Sequence, residues 1–389
     1  MARRHRLIVA LILAAGIASG VSGCAATSSG AGLPAELGAV AAGDRHSCAL
    51  TPQGEAWCWG SNRYGQLGTG DNEEGLEARA VQGGITFTSL SAGKSHTCGI
   101  DTNGEIWCWG GNFVGQLGDG DAPGGTSTLP RKVTGFPGQA VEVSAGSSAT
   151  CATNTDGEAW CWGENLLDQL GVAGLEGETR PPTKLPLAGV SSSTLYLAAT
   201  CLAGKDIHCH GRNFTRGAAD GEYAGTVVKG PATNLTKIAS SNTKTCAIDT
   251  EGQLYCFYSL PFRIDKDGKK LPGYWTEAQP VSERRATGIA GAHATFCTVY
   301  EEEEIICDGL RPPKSYFLSE ETISANPMEQ FSKPWTVEGP TGRITSISGG
   351  TAHFCAGNDD GKIWCWGWNE SGQLGTGDRD NRIEATLIN

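Results

Sequence analysis

The stretch Ala42-Gly43-Asp44-Arg45-His46-Ser47-Cys48 leads, through Gly54, to Trp57-Cys58-Trp59-Gly60, then Asn62 and Gly65-Gln66-Leu67-Gly68. Gln53 is the midpoint between its two cysteines. A three-residue loop, Pro52-Gln53-Gly54, would join two antiparallel strands, with Gly54 supplying the left-handed backbone that ends such a hairpin. Thr51 then faces Glu55, and the same register sets Cys48 against Cys58. Opposed Cα atoms lie ~4.5–5.5 Å apart, within disulfide reach. Zinc ligation is the competing reading, but zinc sites favour about two to four intervening residues. Along these strands His46, Cys48 and Leu50 point one way and Ser47 and Ala49 the other. Trp57 and Trp59 point away from Cys58. A sheet apolar on both faces must be sandwiched, so the Trp pair reads as packing between neighbouring sheets.

The same pairing recurs along the chain. Of 15 cysteines, all but Cys24 fall into such pairs. They are Cys48 with Cys58, Cys98 with Cys108, Cys151 with Cys161, Cys201 with Cys209, Cys246 with Cys256, Cys297 with Cys307 and Cys355 with Cys365. Asn103-Gly104, Asp156-Gly157, Glu251-Gly252 and Asp360-Gly361 put a turn dipeptide at the same place. A repeat of this period signals a propeller or a solenoid. The pattern is full around Cys98 and Cys355, partial around Cys151, and reduced to the cysteine pair in repeats four to six. Glu384-Ala385-Thr386-Leu387-Ile388 follows the last repeat. That strand is expected to complete the first sheet and close the ring, leaving no sheet edge.

These residues, A-G-x-x-H, G-x-x-W-x-W-G-x-N and G-Q-L-G, resemble the regulator of chromosome condensation repeat over residues 37–389. The resemblance implies an all-β, seven-bladed propeller of antiparallel four-stranded blades, one disulfide to each. The family's eukaryotic namesake is an exchange factor for a small GTPase, docked on chromatin by a basic tail. That role does not carry over, because 30 Lys+Arg stand against 42 Asp+Glu, a net charge of −12. An acidic surface also argues against nucleic acid as a partner. A plant ultraviolet-B receptor of this family uses a G-W-R-H-T repeat, which is absent here. A secreted bacterial member inhibits β-lactamases through one face, which illustrates protein binding by loops.

The amino terminus sets the expected compartment. Arg3, Arg4 and Arg6 precede an apolar run, Leu7 to Ala18, and then Val21-Ser22-Gly23-Cys24. This is the order of a signal peptide (1–23), and the tetrapeptide resembles a bacterial lipobox. Cys24 would carry the lipid and 24–36 would be a flexible tether. The expectation is an extracytoplasmic, lipid-anchored monomer of the cell or outer membrane, binding another extracytoplasmic protein without a cofactor.

No G-x-S-x-G, H-E-x-x-H or phosphate loop is present, so a non-enzymatic role is expected. His46, His96 and His353 share one repeat position, which suits a hydrogen bond to a neighbouring backbone better than a metal. His208 and His210 flank Cys209 and fit packing in place of the Trp pair, with metal binding as the alternative. Glu301 to Glu304 read as a solvated hairpin tip. Asp265-Lys266-Asp267-Gly268 is only a fragment of a calcium loop. Two insertions, Phe257 to Pro280 and Asp308 to Pro334, replace the expected loop in consecutive repeats. They carry Tyr258, Phe262, Tyr274, Trp275, Tyr316, Phe317 and Phe331. With Tyr64, Phe113, Leu166, Leu167 and Phe214 from the shorter loops, these are the candidate partner-binding residues, on one face of the ring. A carbohydrate-binding envelope propeller is the alternative. A hydrolase with its site in the central channel is a third reading.

Overall fold

The structure, a computed structural model, describes residues 37–121, 123–171, 180–196, 199–211, 225–231, 233–242, 244–258, 262–264, 270–272, 278–301, 303–309 and 332–388. Seven antiparallel four-stranded sheets form the blades of a propeller, each built from strands consecutive in the chain except in the fifth, where a two-stranded ribbon precedes the outermost strand. Blade 1 pairs Val40–Ala42, His46–Leu50, Ala56–Gly60 and Gly75–Ala80 from the axis outward. Blades 2 to 6 follow at 87–132, 140–184, 192–228, 235–280 and 286–336. Blade 7 ends on Ile363–Gly367 and Arg382–Leu387.

Each cysteine pair is opposed as the hairpin register requires. Cys48 faces Cys58 in blade 1, Cys98 faces Cys108 in blade 2 and Cys151 faces Cys161 in blade 3. Cys201 faces Cys209 in the shorter hairpin of blade 4. Cys246 faces Cys256, Cys297 faces Cys307 and Cys355 faces Cys365 in blades 5, 6 and 7. All seven pairs are disulfides, with Cα atoms 4.0–4.2 Å apart. That spacing is tighter than the sequence register suggested. It marks the closer of the two antiparallel pairings, the one without ladder hydrogen bonds between the opposed residues. Gly54 has φ 85°, as the turn demands, and Gly104, Gly157, Gly252 and Gly361 match it.

The core lies between blades rather than within them. One cluster joins Ala49, Trp57 and Trp59 of blade 1 to Ile363, Leu374 and Ile388 of blade 7. Another joins Cys48, Cys58 and Leu67 of blade 1 to Phe87 and Trp109 of blade 2. The alternation that made both faces of each hairpin apolar is thus satisfied by the neighbouring blades.

Ring closure corrects the expectation from sequence. Arg382–Leu387 pairs with Ile363–Gly367 in blade 7, not with blade 1. Blade 1 needs no donated strand, because Val40–Ala42 already supplies its innermost one. The ring closes by contact instead. Thr351 N–H donates to Gly43 C=O at 3.2 Å, Ala42 N–H to Ser348 Oγ at 2.9 Å, and Leu37 N–H to Gly361 C=O at 2.8 Å. The first insertion is also more regular than expected: Phe262–Ile264 and Lys270–Pro272 form a two-stranded ribbon.

Candidate binding face and channel

Within each blade the first turn and the third connection emerge at the same end. Ser61 N–H donates to Arg45 C=O, and Gly111, Glu164 and Trp368 repeat this bond in blades 2, 3 and 7. This end is the loop face. Its loops are held by their own side chains. Asn62 Oδ1 accepts Leu67 N–H at 3.0 Å and Gln66 Oε1 accepts Tyr64 N–H at 2.9 Å. Asn112 with Gln116, Asn165 with Gln169, and Asn369 with Gln373 do the same. Asn62 Nδ2 also holds Thr69 and Asp71. Arg79 grips Asp71 at 2.5 Å, and its hydrogen bonds pull that carboxyl down to about 2.

The loops are stitched to the next blade. Gln66 C=O accepts both Trp109 Nε1–H at 2.9 Å and Thr97 Oγ–H at 2.8 Å. Since the Thr97 proton is committed to that carbonyl, its oxygen accepts from His46 Nε2–H at 2.9 Å, which fixes the imidazole tautomer. Gln116, Thr150, Trp162 and His96 repeat the set between blades 2 and 3. Gln373, Ser47, Trp59 and His353 repeat it between blades 7 and 1. Burial lowers His46 to about 3, His96 to about 4 and His353 to about 3. The histidines therefore do make a structural bond between blades, but to a hydroxyl that relays it to the backbone.

Where the sequence pattern lapses, other contacts take over. Blade 3 has Ala149 in place of histidine and blade 4 has the buried His210 in place of tryptophan, packed on Gly171. The buried hydroxyl of Thr200, at the Ser47 position, has no hydrogen-bond partner among the described residues. Between blades 5 and 6, Lys244 holds Asp308 at 2.6 and 2.7 Å and lies over the Phe296 ring. Phe354 stacks on Trp366, its cross-strand neighbour in blade 7, and both pack against Ala290, Ala292 and Cys297 of blade 6.

Of the candidate binding residues, Tyr64 and Phe113 meet edge to face across blades 1 and 2, ring centroids 4.9 Å apart. Phe113, Leu166 and Leu167 are exposed by 42, 58 and 46%. They stand on the equivalent loops of blades 2 and 3. Phe214, Tyr274, Trp275, Tyr316, Phe317 and Phe331 lie outside the described residues, as do Cys24 and residues 265–268. Tyr258 and Phe262 are described by their strands alone. The Glu301–Glu304 turn is partly neutralised: Arg284 pairs with Glu304 and Arg285 with Glu301. Among the described residues no three His, Cys, Asp or Glu side chains converge as a metal site would require.

The innermost strands surround a cavity of about 550 Å³ on the propeller axis. Glu142, Ser193, Lys237 and Ser240 line it, with Asp44, Lys94 and His293 in the turns at its mouth. Ser193 donates to Glu142 through its N–H at 3.2 Å and its hydroxyl at 2.8 Å. Even so, the surrounding strands strip water from Glu142 and raise it to about 7. Lys237, lowered by the same cause, donates to Thr287 C=O at 2.6 Å. Sequence reasoning missed this pair. The available signal was position: each stands nine residues before the first cysteine of its repeat.

Models of the regulator of chromosome condensation (RCC1) repeat match residues 39–66, 87–116, 140–169 and 344–373, and a second form matches 53–100 and 103–153. The chain is 31% identical over 135 residues to the human E3 ubiquitin-protein ligase HERC2, a span of 34% of this chain and 3% of that protein. It is 25% identical over 385 residues to the Drosophila melanogaster regulator of chromosome condensation, covering 92% of this chain and 59% of the relative. The chain thus spans less than two thirds of these curated relatives. Yeast RCC1 (Prp20), solved with bound Kap60, superposes with a TM-score of 0.65 at 18% identity, over 91% of this chain and 85% of that one. The ectodomain of the Arabidopsis thaliana receptor kinase ACR4 gives 0.51 at 16%, over 85 and 96%. The chain is a seven-bladed propeller whose blades 1, 2, 3 and 7 carry the regulator of chromosome condensation repeat.

Proposed function

We propose that this protein is a lipid-anchored, extracytoplasmic binding module that captures another protein on its loop face. The observation that carries the reading is the run of apolar tips on consecutive blades, Tyr64 with Phe113, then Leu166 and Leu167. Large apolar side chains at the centre of a patch dominate protein recognition when their backbone is held rigid. Here the Asn and Gln side chains hold that backbone. The propellers of like fold include yeast RCC1, whose structure was solved with Kap60. Anchoring rests on the order of Arg3, Arg4, Arg6, the apolar run and Cys24 in the sequence.

The test is affinity capture from cell-envelope extract with the full chain and a variant combining Phe113→Ser, Leu166→Ser and Leu167→Ser. A protein retained by the first and lost by the second, at equal melting temperature, is the expected result. Equal retention by both would move the site off these loops. Replacing Cys24 by Ala should release the protein from the membrane fraction; continued membrane association would remove the anchor from the account.

A further inference from the structure

We propose that the axial channel is a binding site for a small zwitterion with separated charges, its amine held by Glu142 and its carboxylate by Lys237. This site is independent of the loop face and rests on the walls of the cavity.

The strand registers set the two side chains at one depth. Glu142 pairs with Thr153 and Lys237 with Ile248, each two residues beyond the first cysteine of its blade. Ser192, opposite Ala203, occupies the same level in the blade between them. One level of the channel therefore carries an acid, a hydroxyl and a base on consecutive blades. Both charged residues line the 550 Å³ cavity, a volume in the usual range of small-molecule sites.

Neither charge has an ion-pair partner among the described residues. Partly desolvated charges without a counter-charge are costly, and proteins ordinarily pair them. Both also keep spare hydrogen-bonding capacity. A carboxylate offers about four acceptor positions and an ammonium three donors. Glu142 uses two of its positions on Ser193, and Lys237 uses one on Thr287. One ligand bearing both charges would pair with Lys237 and with the ionised form of Glu142 at once, whereas a simple cation would leave Lys237 uncompensated and a simple anion would give Glu142 no counter-charge on which to ionise. The hydroxyl of Ser192, on the same level of the channel wall, suits the polar body of such a ligand.

The ligand should also expel a proton. Burial holds Glu142 at about 7, so at pH 6.5 much of it is protonated. An ammonium against it favours the carboxylate. Asp44, Lys94 and His293 at the mouth, and Tyr196, are the other titratable groups lining the channel.

The experiment is titration calorimetry of the full-length chain with unbranched ω-amino acids from glycine to 8-aminooctanoate. Butylamine and butyrate serve as singly charged controls, at pH 6.5 in two buffers of different ionisation enthalpy. One member of the series is expected to bind at least tenfold tighter than either control, with net proton release. Glu142→Gln, which keeps an acceptor for Ser193, and Lys237→Met should each weaken it about tenfold or more, a loss of about 1.4 kcal/mol. Near-UV circular dichroism identical to the parent shows that the variants are folded. The outer-loop variant Glu73→Gln should bind like the parent. Binding equal to that of the controls, no binding below about 5 mM, or binding unchanged in both channel variants would overturn the proposal.

Discussion

Glu303 and Asp168 hold left-handed backbone, φ 65° and 53°, at positions where blades 1, 2 and 7 carry glycine. A side chain there costs about 1 kcal/mol or more, partly offset by the smaller unfolded-state entropy of a non-glycine residue. Glu303→Gly and Asp168→Gly should each raise stability by about 0.5–1 kcal/mol in chemical denaturation. A loss at both positions would show that the side chains' own contacts outweigh the strain. The buried imidazoles give a second expectation at this scale. His46, His96, His210 and His353 are held at about 3–4, against 6.5, by desolvation. They are neutral in the fold and take up protons first when unfolded. Their stabilisation is complete above pH 6.5 and is lost as pH falls towards 3–4, with a limiting slope of about 1.4 kcal/mol per pH unit for each. Glu142, raised to about 7, acts oppositely: its contribution is present below pH 4.5 and lost as pH rises through 7. Four groups outweigh one, so the melting temperature should fall between pH 6.5 and 4.5, and less steeply in His96→Gln. A flat profile would contradict the assignment of neutral, desolvated histidines.

At the level of strands and their seams, the hydroxyl relay is the joint between blades. Thr97→Val should cost about 1–3 kcal/mol, because it leaves His46 Nε2–H buried without an acceptor. Thr97→Ser should be nearly neutral; equal effects from the two would assign the cost to packing. Replacing Cys98 and Cys108 together by Ala should cost about 2–3 kcal/mol through the short loop that the disulfide closes. No measurable loss would place the stability of blade 2 in its neighbours alone. The hairpins were legible in the sequence because symmetric cysteine spacing around a turn leaves one register that opposes the two sulfurs. The closing strand was misassigned because Val40–Ala42, three residues without a strand-like alternation, gave no sign that blade 1 was already complete. The relay was half legible. A histidine at a fixed repeat position announces a repeated bond, but its acceptor is a Ser or Thr in the next repeat, about fifty residues away.

For the whole molecule, seven cysteine pairs and the repeat specify the ring, while function depends on what the ring leaves exposed. The apolar tips on blades 1 to 3 were readable as loop residues outside the fixed frame of the repeat. The Glu142–Lys237 level of the channel was not, because residues far apart in sequence meet there only when the ring closes. The central claim, capture of a protein on the loop face, is tested most directly by photo-crosslinking in the living cell. A benzophenone side chain is placed at position 113 on the loop face or at position 53 on the opposite hairpins. The account predicts one discrete adduct from position 113 and none from position 53. The same adduct from both positions, or an adduct from 53 alone, would contradict it.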